Sequence, residues 1–126
     1  FLFVRDLMAG QIKGFEQFKR DATEFDRQPQ TDELTVSDEL LKAYKNYMAN
    51  FITQKPDTGL TRELVEQNLT FARTKLREEM LTAAFGVDTM RRALVLDDPQ
   101  VQRGLNELPN AAQLAERARR VKTARK

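Results

Sequence analysis

The sequence predicts an all-α fold, a bundle of five or six helices with one long central helix. Three observations carry that expectation. Only five glycines and four prolines interrupt 126 residues. Between them the apolar residues recur at three- and four-residue intervals, with no alternation of the kind a half-buried strand would show. Helix-start signals also stand before the periodic runs, at Ser37, at Thr61 and at Asp98-Pro99.

The elements follow in chain order. Phe1, Val4, Leu7, Met8, Ile12, Phe15 and Phe18 fall on one side of an apolar helix expected over residues 1–20. Gly10 and Gly14 each weaken it by roughly 1 kcal/mol relative to alanine. Residues 21–36 are polar, contain Pro29, and read as a long connection with Phe25 pinned to the core. Residues 37–116 form the bundle. Ser37 caps its first helix, Val36 and Leu41 form a hydrophobic staple, and Asp38 and Glu39 meet the positive end of the helix dipole. That helix carries Leu41, Tyr44, Met48, Phe51 and Ile52, and ends at Pro56 and Gly59. Thr61 opens the central helix, whose stripe is Val65, Leu69, Ala72, Leu76, Met80 and Ala83. It runs to Gly86, a length of roughly 35 Å at 1.5 Å per residue. Three shorter helices follow, beginning near Asp88, at Asp98-Pro99 and near Pro109. Residues 117–126 are a basic tail expected to fray.

Composition excludes much chemistry. The chain contains no cysteine and no histidine, so disulfides, thiolate metal sites and the commonest general base are absent. The only serine is Ser37, whose position is that of a helix cap. Lys42 lies five residues on, so the two side chains leave a helix on different faces. The carboxylate pairs Asp38-Glu39, Glu78-Glu79 and Asp97-Asp98 are adjacent in sequence and diverge by about 100° on a helix. They serve dipole complementation, a solvated face and capping rather than acid–base catalysis. No phosphate loop, dinucleotide fingerprint, zinc spacing or calcium loop is present. No catalytic, cofactor-binding or metal-ligating residue is therefore assigned, and no cofactor is expected. No apolar run has the length of a transmembrane segment.

The formal net charge of +2 conceals an asymmetry. Residues 115–126 hold six bases (Arg117, Arg119, Arg120, Lys122, Arg125 and Lys126) against Glu116 alone, leaving −3 on residues 1–114. Those six are the candidate contacts for an anionic partner. No aromatic residue interleaves with them to stack on bases, which disfavours nucleic acid.

Three segments resemble the C-terminal helical region of the bacterial carboxyl-terminal processing peptidases, also called tail-specific proteases. They are Phe1-Leu2-Phe3-Val4, the run Leu81-Thr82-Ala83-Ala84-Phe85-Gly86, and Asp97-Asp98-Pro99-Gln100-Val101-Gln102 continuing to Leu108-Pro109-Asn110-Ala111-Ala112. The likeness is loose over residues 1–60 and tighter over 61–115. The resemblance implies a periplasmic or cell-envelope parent with a serine nucleophile and a lysine base. Neither of those residues carries over to this chain, since Ser37 lies outside the matching segments. What it implies for the chain itself is a non-catalytic accessory C-terminal domain serving stability, assembly or substrate access.

An apolar first helix suits such a parent. A start at Phe1 without methionine is expected of a piece of a longer polypeptide. Phe1, Phe3, Val4, Leu7 and Met8 are the candidate interface to an upstream peptidase domain of the same polypeptide. Without that domain, their face is expected to fold back on the bundle or to pair with a second copy as a homo-oligomer. The rival readings are a free-standing helical protein–protein interaction module and a small nucleic-acid-binding domain acting through the basic tail.

Overall fold

The structure, a computed structural model, describes every residue except Asp26, Thr31 and Lys126. It is all-α, and the described residues contain no strand. The α-helices are α1 (Leu2–Met8), α2 (Asp38–Gln54), α3 (Arg62–Gln67), α4 (Leu69–Phe85), α5 (Val87–Asp97) and α6 (Pro99–Ala124). Short 3₁₀ turns occupy Glu16–Phe18 and Pro56–Thr58. The chain divides into two compact units, Phe1–Arg91 and Arg92–Lys126, with the division falling inside α5.

The first unit holds most of the core. Phe3, Val4, Leu7 and Met8 of α1 are buried together with Leu40 and Leu41 of α2. Leu76, Met80, Leu81, Ala84 and Phe85 of α4 complete the apolar centre, and α1 packs on α4. The ring of Phe3 meets Tyr44 and Tyr47 edge-on, with centroids 5.5 and 5.3 Å away. This geometry places the positive ring edge against the negative face.

The expected helix over residues 1–20 ends instead at Met8. Gly10 and Gly14 both adopt positive φ, at 78° and 88°, so the chain turns away after about two turns of regular helix. Ile12, Phe15 and Phe18 therefore lie outside α1. Residues 21–36 form the expected connection, but one with buried anchors. Leu34 is 5% exposed at φ 57°, and Val36 is also buried. Phe25 is not the expected core anchor and stays 68% exposed.

This connection closes the C-terminal end of α4. The last carbonyls of a helix have no partner within it. Here the Thr23 hydroxyl donates to the Ala83 carbonyl at 2.9 Å, and the Glu24 N–H donates to that of Ala84 at 2.8 Å. The Thr89 hydroxyl donates back to the Phe25 carbonyl at 3.1 Å. Gly86 sits just beyond α4 with φ 86° and ψ 164°, and its own N–H donates to Thr82.

The central helix anticipated from Thr61 to Gly86 is two helices. Thr61 does cap, its side chain accepting from the Leu64 N–H at 3.2 Å. At Asn68 the backbone leaves helical geometry (φ −112°, ψ 20°) and the Asn68 side-chain amide donates to the Leu64 carbonyl at 2.7 Å. A side chain that bonds its own preceding turn competes with the helix ladder. After the break the buried stripe is also rotated. Leu76 and Met80 are on it as expected, but Ala83 is exposed and Leu81, Ala84 and Phe85 are buried in its place.

Ser37 is the cap of α2, accepting from the Leu40 N–H at 3.1 Å. Ser37→Ala should therefore lower stability by about 1 kcal/mol, measured by urea denaturation. An unchanged midpoint would show that Asp38 and Arg73 already hold the helix start.

The second unit is dominated by α6. Asp98 caps it, accepting from the Gln100 N–H at 2.7 Å, with Pro99 in the first turn. The helix expected to begin near Pro109 does not form separately, because α6 continues through Pro109 to Ala124. An interior proline removes one ladder hydrogen bond and costs about 3 kcal/mol in helix stability. The basic segment from residue 117 is consequently not a separate tail, since all but its end is helical. No residue of α6 is buried.

Candidate functional site

The residues singled out for an interface at α1 divide sharply. Phe3, Val4, Leu7 and Met8 are between 0 and 7% exposed, spent on this chain's own core. Of the two expected fates, the apolar face folds back on the bundle. Only Phe1 of the five remains at the surface, 83% exposed. A helix as short as α1 has its inner face occupied by Tyr44, Tyr47 and α4, so it cannot offer the same side chains elsewhere.

Phe1 borders two depressions in the first unit. One, of about 490 Å³, runs between α1 and α4 and is bounded by Val4, Arg5, Met8, Arg20, Glu78 and Glu79. The other, about 380 Å³, is bounded by Tyr44, Val65, Phe71 and Leu76 among others. Phe71 is itself 62% exposed. The first depression has an apolar floor and opposite charges on its rim, a composition that suits an apolar side chain or short segment of a partner. Glu78 and Glu79, expected to point to a solvated face, both border it. Their role depends on α1 lying across α4, a long-range contact with no local signal in the sequence.

Two polar clusters brace this surface. The Tyr47 hydroxyl donates to Asp6 Oδ2 at 2.8 Å, and Arg5 pairs with Asp6 at 2.9 Å. The Tyr47 hydrogen bond, with Arg5 beside it, holds the Asp6 carboxyl below its usual range against the opposing effect of burial. In the second cluster Glu33 accepts from Arg27 Nη1 and Nη2 and from the Gln30 N–H at 3.1 Å, with Arg20 3.8 Å away. Burial disfavours the Glu33 charge, but the Arg27 and Gln30 hydrogen bonds outweigh it and lower its pKa. Arg27 also stands over the Phe85 ring, 4.7 Å from its centroid. Burial raises the pKa of both Tyr44 and Tyr47.

These directions set a pH window. Asp6 and Glu33 titrate lower folded than unfolded, so their stabilisation is complete above about pH 4 and lost as pH falls through the folded values. Tyr44 and Tyr47 titrate higher folded than unfolded, so theirs is complete below about pH 10 and lost as pH rises. Thermal melts should show a plateau between these limits, with a shallower acid limb in Glu33→Gln. An identical acid limb in that variant would contradict the assignment.

Nothing in these clusters forms a nucleophile–base pair. The Ser37 side chain is committed to the Leu40 N–H. Asp38 accepts from Arg73 Nη2 at 2.5 Å, and Arg73 Nη1 donates to the Val36 carbonyl at 2.6 Å, clamping α4 to the start of α2. Among the described residues no group of three or more acidic, histidine or cysteine side chains could hold a metal ion, and no helix is long and apolar enough to cross a membrane.

The basic candidates Arg117, Arg119, Arg120, Lys122 and Arg125 are exposed along the end of α6, and Lys126 lies outside the described residues. Arg120 pairs with Glu116 at 3.2 Å across one turn. An exposed pair of this kind contributes only a few tenths of a kcal/mol. The bases surround the helix rather than lining a groove, and α6 contains no aromatic residue. No family model, curated protein or solved structure matches the chain.

Proposed function

We propose that this chain is a non-catalytic accessory C-terminal helical domain of a periplasmic serine-type processing peptidase of the tail-specific kind, serving stability, assembly or substrate access. The observation that carries the reading is the sequence likeness of Phe1–Val4, Leu81–Gly86 and Asp97–Ala112 to that family's C-terminal region. The places where these segments fall lend it support. The first supplies Phe3 and Val4 to the core, and the second supplies Leu81, Ala84, Phe85 and the glycine that ends α4. The third is the cap and first half of α6. A pattern that builds the core and the helix ends is what a shared scaffold would preserve, whatever the attached domain does. The exposed Phe1 and the neighbouring depression are the natural places for an upstream peptidase domain to rest.

The test has two parts. The full reading frame should encode a Ser/Lys peptidase domain ahead of Phe1, and a frame without one overturns the proposal. The isolated chain should neither cleave casein nor take up a serine-reactive phosphonate at Ser37, and cleavage or labelling would make it an enzyme in its own right. The absence of any buried residue in α6 favours a second reading, a free-standing helical interaction module. A reading frame with no upstream domain would select it.

A further inference from the structure

Helix α6 carries an ordered apolar seam that is half-buried at Val101 and exposed from Leu105 onward. Val101, Leu105, Leu108, Ala112 and Ala115 follow one another at intervals of four, three, four and three residues. That is the spacing of a coiled-coil seam, two positions in every seven on one side of the helix. Leu105 is 44% and Leu108 60% exposed. Gly104, Ala111 and Ala118 flank the seam at seven-residue intervals, leaving room for a second backbone to approach. A Cβ added at Gly104 would meet no atom within 4 Å, so that room is vacant.

The ends of the seam are charged, with opposite signs. Continued towards the N-terminus, the next seam position is Asp98. Continued towards the C-terminus, the next two are Arg119 and Lys122. The same polarity extends to the whole helix. Residues 97–108 carry three acids, Asp97, Asp98 and Glu107, against Arg103. Residues 115–125 carry five bases against Glu116. Two such helices side by side in parallel would set Arg119 and Lys122 against their own copies. Reversed, they set the acidic start of each against the basic end of the other.

We propose that α6 pairs with α6 of a second copy of this chain, antiparallel and centred near residue 110. In this register Leu108 lies against Ala112 of the second copy and Leu105 against its Ala115. Asp98 lies across from its Lys122, and Val101 across from its Arg119, whose aliphatic stem covers the valine while the guanidinium reaches water. Large residues from one helix meet small ones from the other, so the seam fills without clashes. Pro109 also finds a reason to be tolerated. An isolated helix in water is marginal even without an interior proline, and most helical stability comes from packing an apolar face. A partner on the seam supplies that packing. The pairing requires nothing of an upstream peptidase domain and stands apart from that reading.

The test uses the full chain, which has no cysteine of its own. Sedimentation velocity over a concentration series should show a reversible monomer–dimer equilibrium, weakened by added salt as the charged ends are screened. Leu108→Asp should raise the dissociation constant at least about tenfold. Its helicity should match the native monomer's, because Leu108 is exposed within the chain. For orientation, Val101→Cys and Arg119→Cys proteins are prepared separately, mixed and mildly oxidised. The mixture should yield the disulfide between the two different variants, with each variant alone cross-linking poorly. Cross-linking of each variant to itself would mean a parallel pair and overturn the proposal. A protein that stays monomeric across the series, or a Leu108→Asp variant that dimerises as well as the native chain, would overturn it equally.

Discussion

Met80→Ala should lower the unfolding free energy by about 2–5 kcal/mol, the range for truncating a large buried side chain. Met80 is 0% exposed in the middle of α4, on the turn between Leu76 and Ala84 that faces the core of the first unit. The alanine loses the transfer free energy of the missing atoms, and the surroundings close only partly over the space. A methionine can be replaced more cheaply by leucine, which keeps most of the volume, so Met80→Leu should cost under about 1.5 kcal/mol. Glu66→Ala is a useful control. Its bridge to Lys45, 2.8 Å long, joins two solvent-exposed side chains and is worth at most about 1 kcal/mol. Urea denaturation of the three variants checks the ordering. Equal losses for Met80→Ala and Glu66→Ala would mean that α4 faces the core with a different side.

Gly86→Ala should cost about 1–3 kcal/mol, although it adds a single methyl group. The cause is the backbone. At φ 86° and ψ 164° the residue occupies a region that is essentially confined to glycine. An added Cβ would also come within 2.7 Å of the Phe25 ring. That ring is largely exposed and can swing aside, so the backbone conformation sets the size of the effect. Gly14→Ala provides the comparison, since its φ of 88° is also positive while a Cβ there meets nothing within 4 Å. If thermal melts show Gly86→Ala to be harmless, the link between α4 and α5 must relax without loss to the Thr23 and Glu24 hydrogen bonds.

Features set by local chemistry are legible in this sequence, and features that depend on distant contacts are not. Ser37, Thr61 and Asp98 cap helices where their side-chain chemistry says they should, because an N-cap needs only its own next three residues. The same holds for Gly86 at the end of α4 and for the helical class of the whole chain. The start of α1 was legible as an apolar helix, but its end was not. One glycine in a helix is a modest cost, and only the structure shows that Gly10 takes positive φ to turn the chain. Asn68 carried no breaking signal in its neighbours' periodicity, which continues through it in register. Pro109 misled in the opposite direction, since proline ordinarily ends a helix and here does not. The depression beside Phe1 was illegible for a different reason. Its walls come from α1 and α4, and no short spacing brings Arg5 near Glu78.

The packing of α1 on α4 has a consequence for the order in which the molecule can be assembled. Phe3, Val4, Leu7 and Met8 leave the ribosome before Phe85 does by about 80 residues. At translation rates of about 5–20 residues per second, this is a delay of roughly 4–16 s. A loop of that span closes in far less time than it takes to synthesise, so translation sets the pace. Until α4 emerges the four apolar side chains have at most α2 to lie against, and until its last turn does the hydrogen bonds from Thr23 and Glu24 have no carbonyls to receive them. This stretch of the nascent chain is consequently sticky for several seconds, and it loses that property when the final turn of α4 emerges.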